Sequence, residues 1–186
     1  MPSDATYAYP ADVFQFEPVT ERHLPMLREW LSRAHVRKWW DDPDTEIRYI
    51  HDMLAGRDST RPFLFSLEGD ACGYIQYWFV RDAQTPEWIE KEPWLARLPR
   101  DAVGIDLTIA DESRLSQGIG SSVLRAFAQR LRNKGHECII IDPDPANARA
   151  VRAYEKAGFV RKFEHEGLEG RTLIMEFDKE RAGLPA

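Results

Sequence analysis

Between Gly104 and Ile109, apolar Ile105, Leu107 and Ile109 alternate with Gly104, Asp106 and Thr108. That is the period of a strand with one oily face, so Asp106 is expected on a rigid element. After a stretch holding Gly118 and Gly120, Ile119, Val123, Phe127 and Leu131 recur every four residues, with Leu124 and Ala128 widening the stripe. This predicts an amphipathic helix. Residues 138–141 are a wholly apolar run of strand length, stopped by Asp142-Pro143-Asp144-Pro145. A second helix is expected from Ala146 to its stop at Gly158.

Upstream, residues 13–17 predict a strand, and Leu24, Leu27, Trp30 and Leu31 share one face of a helix beginning at Thr20 and Glu21. Pro43–Leu54 predicts a helix with Ile47, Ile50 and Leu54 on one side. Residues 61–67 and 71–80 predict strands joined through Glu68-Gly69-Asp70, a hairpin turn. Residues 81–100 read as a long connector rich in acids and prolines, of a length that is usually functional or mobile. Downstream, 159–165 and 171–177 predict a second hairpin, turning through 166–170. The order is strand, two helices, three strands, helix, strand, helix, two strands, an α/β arrangement with a mixed sheet. One domain over residues 13–178 is expected, with a loose leader (1–12) and a tail (179–186).

Charged residues make up 30% of the chain and hydrophobic ones 43%, which excludes extended disorder. The formal charge of -6 disfavours non-specific binding to nucleic acid and favours cationic small partners. Only Cys72 and Cys138 occur, without a paired spacing, so reduced thiols in a cytoplasmic setting are expected. No apolar stretch approaches the ~20 residues that span a bilayer. The five histidines form neither an i, i+4 pair nor a cluster with cysteine, so no metal is expected.

A glycine turn between strand and helix gathers unpaired N–H groups at the positive end of the helix dipole, where phosphate oxygens bind. The same glycines would serve a tight turn that binds nothing. Asn147 and Tyr154, two turns apart, look toward one side of their helix, either to a ligand or to the core. Of the adjacent Trp39 and Trp40, one is expected to pack inward and the other to line a cleft.

The glycine turn followed by Asn147-Ala148-Arg149-Ala150-Val151-Arg152-Ala153-Tyr154-Glu155-Lys156-Ala157-Gly158-Phe159 resembles the GNAT family of acetyl-coenzyme A-dependent N-acetyltransferases. Gly104-Ile105-Asp106, Leu115-Ser116-Gln117-Gly118-Ile119-Gly120 and Asp142-Pro143-Asp144-Pro145-Ala146-Asn147 further resemble the aminoglycoside 6'-N-acetyltransferases, with Trp39-Trp40 and Gly73-Tyr74-Ile75-Gln76 in support.

The resemblance implies a mixed, mostly antiparallel sheet splayed at a central parallel strand pair and flanked by helices. It implies Asp106 as general base and Tyr154 as proton donor to the leaving sulfur. Acetyl-coenzyme A (acetyl-CoA) would lie along Leu107, Thr108 and Ile109, against Leu115, Gln117, Gly118, Ile119, Gly120 and Ser121, with Asn147 on the pantetheine arm. Leu115 replaces the usual basic residue or Gln three before the first glycine, which leaves the phosphates to backbone amides. A cationic small-molecule amine would meet Trp39, Trp40, Gln76, Asp82, Glu87 and Asp142. The acceptor expected is an aminoglycoside, with siderophore-precursor amines, polyamines or a non-catalytic coenzyme A-binding module as alternatives. A monomer or homodimer is expected.

Overall fold

The computed structural model describes residues 9–167 and 170–183. Part of the expected leader (1–8), Leu168 and Glu169 of the second hairpin turn, and the end of the tail (184–186) lie outside the described residues. The elements run β1 (Phe14–Pro18), α1 (Leu24–Leu31), α2 (Ala34–Arg37), α3 (Pro43–Leu54), β2 (Arg61–Leu67), β3 (Asp70–Phe79), α4 (Val80–Ala83), α5 (Pro86–Lys91) and β4 (Val103–Ile109). They continue with α6 (Ile119–Asn133), β5 (Ile139–Ile141), α7 (Ala148–Ala157), β6 (Phe159–Glu166) and β7 (Arg171–Phe177).

The strand order is β1-β2-β3-β4-β5-β7-β6. The recorded pairs β1–β2, β2–β3, β5–β7 and β6–β7 are antiparallel; β4 and β5 are parallel, registered at Val103↔Ile139 and Gly104↔Ile140. This is the mixed, helix-flanked sheet the sequence led one to expect. It adds one feature that hairpin patterns do not carry: β7, not β6, joins β5.

The chain divides into two compact units, and two of the boundaries cut strands, between Trp78 and Phe79 in β3 and between Ile105 and Asp106 in β4. The first comprises Asp12–Trp78 with Asp106–Leu115. Its core gathers Val19, Leu27, Trp30, Leu31, Val36, Ile50, Leu64, Tyr74 and Ala110, to which α1 and α3 give one face each and Val19 and Ala110 add from just beyond β1 and β4. Asp42 caps α3 by accepting from the Asp44 amide at 2.9 Å, with Pro43 in the first turn where its missing N–H costs nothing.

Gly73 of β3 is squeezed in this unit. A Cβ there would lie 2.2 Å from the Thr108 carbonyl oxygen and 2.5 Å from the Phe65 ring, so only glycine lets β3 run so close to them. Gly73→Ala is expected to destabilise the fold by about 3 kcal/mol and to lower the melting temperature by ~6–12 °C. Thermal unfolding followed by circular dichroism reads this directly, and an unchanged midpoint would contradict the packing.

The second unit comprises Phe79–Ile105, the residues from Ser116 onward and the described residues before Asp12. Ile119, Val123, Leu124, Phe127, Ala128 and Leu131 of α6 are buried, as is all of β5. The stretch expected as a connector is helical instead, with α4, α5 and a 3-10 turn at Pro93–Arg97. Thr85 caps α5 through the Trp88 amide, and Gln84 donates to the carbonyls of Leu95 and Leu98. Trp94 is buried while Trp88 is half exposed.

Part of the expected tail is anchored in this unit. The Asp178 amide donates to Gly158 O at 3.0 Å, Arg125 donates twice to Ala182 O, and Ala182 is buried. Both cysteines are free; Cys72 is buried and Cys138 half-buried, with burial pushing the Cys138 thiol up to about 11.

Candidate active site

On β3, Tyr74, Gln76 and Trp78 are two apart and share one face. Asp106 stands on β4 and is half-buried. Gln76 Nε2 donates to Asp106 Oδ2 at 2.8 Å, and Tyr74 Oη donates to Gln76 Oε1 at 2.5 Å. Trp78, on the same face, joins Gln76 in lowering the proton affinity of Asp106. Tyr74 is fully buried, so its phenol fixes the Gln76 amide, and that amide in turn fixes one carboxylate oxygen. Burial raises the Asp106 carboxyl above its ordinary 3.8, against the Gln76 hydrogen bond and Trp78, which lower it. A carboxylate displaced in this direction is a better proton acceptor than a solvated aspartate. Burial also raises the Tyr74 phenol well above 10, helped by the charges of Asp106 and Glu46, so it stays protonated as a donor.

Trp40 packs edge-on against Tyr74, with ring centroids 5.8 Å apart, and joins the core of this unit. Trp39 instead carries Lys38 over its ring at 5.0 Å. The adjacent tryptophans therefore diverge, with Trp40 on the inward side. Tyr77 stacks on Phe63 as a packing residue. Of the cofactor-side strand residues, Leu107 is half-buried, while Thr108 and Ile109 are buried.

Sequence reasoning passed over Glu46. It stands in the first turns of α3, where its Oε1 accepts from the Asp41 amide at 3.1 Å. Burial first, then the charges of Asp41, Asp106 and Asp42, lift its carboxyl from 4.5 to about 7. The folded state thus holds this proton more tightly than the unfolded chain. The resulting stabilisation is complete below pH ~4.5 and is lost as pH rises through about 7.

The shift corresponds to about 3 kcal/mol at 1.36 kcal/mol per pKa unit, nearer ~2 kcal/mol once solvent screening is discounted. Glu46→Gln is therefore expected to melt ~4–8 °C above the wild type at pH 8 and level with it at pH 4.5. Melting curves at the two pH values check this, and equal offsets at both would refute it.

In the second unit, Gly118 takes φ 83 and opens α6. Ser116, a non-glycine residue, also has positive φ, at 61. A left-handed residue before the first turn leaves the amides of α6 without helical partners at one end. The Ser121 hydroxyl donates back to Gly118 O at 3.0 Å, so that side chain braces the turn. Gln117 is exposed and the Ile119 side chain is core. Leu115, in the first unit, closes a 3-10 turn onto Glu112 O.

Asp142 is half-buried at the end of β5. Asp144 makes the turn that follows, accepting from the Ala146 amide at 2.7 Å. Helix α7 consequently starts at Ala148 and not at Ala146, and Asn147 is its cap, accepting from the Ala150 amide at 3.2 Å. The amide NH₂ of a capping Asn keeps its donors, so this role leaves Asn147 able to donate to a carbonyl. Tyr154 is half-buried on α7.

Asp82 and Glu87 are exposed and engaged locally. Asp82 lies 3.6 Å from Arg81 Nε, and Glu87 lies 3.0 Å from Lys91 Nζ. Among the described residues no group of three or more His, Cys, Asp or Glu could hold a metal ion. None of their helices is long and apolar enough to cross a membrane.

Residues 19–167 match the family model described as "Acetyltransferase (GNAT) domain". The aminoglycoside N(6')-acetyltransferase type 1 of Klebsiella pneumoniae is 35% identical over 152 residues, covering 77% of this chain and 72% of that protein. The lysine N-acyltransferase MbtK of Mycobacterium tuberculosis is 29% identical over 155 residues, covering 80% and 70%. A crystal structure of aminoglycoside acetyltransferase AAC(6')-Ib with coenzyme A and kanamycin superposes with a TM-score of 0.74 at 30% identity, over 90% of this chain and 96% of that one. The mixed sheet with its parallel β4–β5 pair, a glycine turn opening α6 and a match across most of the length agree: the chain belongs to the GNAT acetyltransferase family.

Proposed function

We propose that the protein transfers acetyl from acetyl-CoA to a primary amine of a polycationic small molecule, the 6'-amine of an aminoglycoside, with residues 13–178 acting as one catalytic domain. The observation that carries this reading is the Asp106 carboxylate, fixed by Gln76 with its proton affinity raised by burial. The similarity to aminoglycoside N(6')-acetyltransferase supports the acceptor class.

The amides from Gln117 to Ser121 suit the pyrophosphate of acetyl-CoA, since the left-handed Gly118 exposes the first turn of α6. The Asn147 NH₂ suits a pantetheine carbonyl. When bound, acetyl-CoA supplies an acetyl thioester. Asp106 takes the proton from the acceptor ammonium, directly or through water, and releases it to solvent, so that the carboxylate, ionised again, steadies the positive charge that develops on nitrogen. With acetyl-CoA held there, the neutral nitrogen would bond to the acetyl carbon as the carbon–sulfur bond breaks; Tyr154 would give its phenolic proton to the departing sulfur, and the proton that the nitrogen sheds on becoming an amide would return through solvent to the phenolate. Asp142 adds a second carboxylate for the acceptor.

The test is thiol release from acetyl-CoA with kanamycin, lysine and spermidine, followed by mass spectrometry of the product. Acetylation of kanamycin at the 6' nitrogen is the expected result. Release with lysine or spermidine and none with kanamycin would move the acceptor to the second reading, an acyltransferase of siderophore-precursor or polyamine amines, which the similarity to MbtK supports.

A further inference from the structure

We infer that Glu46 is a specificity residue of the acceptor site, one that holds a second ammonium of the acceptor while Asp106 attends to the reacting one. This deepens the aminoglycoside reading and rests on it. Three observations carry it, all within one unit of the fold.

The first is connection. Glu46 is tied to the Asp41 amide, next in sequence to Trp40; Trp40 packs on Tyr74; and Tyr74 leads through Gln76 to Asp106. The charge of Asp106 also raises the proton affinity of the Glu46 carboxyl. The second is the lack of a counter-charge. The charges acting most strongly on Glu46 are Asp41 and Asp42 ahead of α3 and Asp106 on β4, all acids, and the Tyr74 phenol on β3, on which the charge of Glu46 acts in turn, stays neutral. Among the described residues no Lys, Arg or His forms an ion pair with Glu46 or Asp106; Arg28 is spent on Asp44, two residues before Glu46, and the charge of Arg37 acts on Asp42.

The third is pinning. Oε1 is fixed by the Asp41 amide, and no hydrogen bond to Oε2 is recorded among the described residues. Two half-buried carboxylates without a cation repel each other and are costly to keep charged. A ligand carrying two ammonium groups supplies both missing charges, whereas a ligand with one supplies only the charge Asp106 needs. The protein therefore selects polycations over monoamines, and does so most strongly above pH 7, where Glu46 is ionised.

The experiment compares wild type, Glu46→Gln and Glu46→Asp at pH 8, with kanamycin and with 6-amino-6-deoxyglucose, which carries one ammonium. Glu46→Gln keeps an acceptor for the Asp41 amide but removes the charge; Glu46→Asp keeps the charge but shortens the reach to that amide. Glu46→Gln is expected to lower kcat/KM for kanamycin about 10–100-fold, the scale of a lost charge-assisted hydrogen bond, through KM, and to lower it much less for the monoamine. Glu46→Asp should retain more kanamycin activity than Glu46→Gln, and the wild-type preference should shrink at pH 5.5.

Equal losses with both acceptors, or Glu46→Asp worse than Glu46→Gln, would assign Glu46 a purely structural role and overturn the inference while leaving the acceptor reading intact. A wild type that acetylates neither amine overturns that reading and this inference together. Should Glu46→Gln fail to fold, the wild-type preference for kanamycin between pH 5.5 and 8 decides: growth through pH 7 supports the inference, and a flat ratio overturns it.

Discussion

Replacing Asp106 with asparagine is expected to lower kcat/KM for amine acetylation by 10²–10⁴-fold, the range of a lost general base. Asparagine has nearly the same shape, and its carbonyl oxygen can still accept from Gln76 Nε2, so the local hydrogen-bond frame survives. On the proposed mechanism the variant loses the negative charge that would attract the acceptor ammonium and the oxygen that would take its proton. The wild-type rate should rise with pH along a limb set by a carboxyl above its ordinary 3.8, because burial raises Asp106. That limb should vanish in the variant. Steady-state thiol release over pH gives both readings, and calorimetric titration with coenzyme A should find its affinity unaltered. A variant within threefold of wild type would remove Asp106 from the chemistry.

Tyr154→Phe is expected to cost about 10²-fold in kcat, the lower end of general-acid effects. The change deletes a single oxygen from a half-buried ring on α7, whose start is fixed by Asn147 and Asp144, so the helix should stand unaltered. The penalty should depend on the leaving group. A thioester whose thiol is more acidic than that of coenzyme A needs less help in leaving, and with it the gap between variant and wild type should narrow. A gap that stays constant across leaving groups would mean that the phenol positions substrate and moves no proton.

The sequence carried the strand with Asp106, the stripe of α6, the bounds of α3 and the β2–β3 hairpin, because each is long enough for its period to repeat. It did not carry α4 and α5. Helices of four and six residues complete too few turns to show a period, and these stand on caps and on the burial of Trp94. In the candidate site, Asp106 and Gln76 were legible from position. Trp78 follows the same two-residue spacing as Tyr74 and Gln76, and that spacing could have found it. Glu46 had no such signal: an acid near the start of an amphipathic helix looks like any solvated one, and only the groups folded around it make it unusual.

The anchoring of residues 178–183 bears on how the protein can be handled. A chain cut after Phe177 would strip Arg125 of the Ala182 carbonyl that receives two of its N–H groups and would remove the amide that meets Gly158. Affinity tags and shortened versions should therefore begin or end beyond Gly183, because what looks expendable at that end is a clasp.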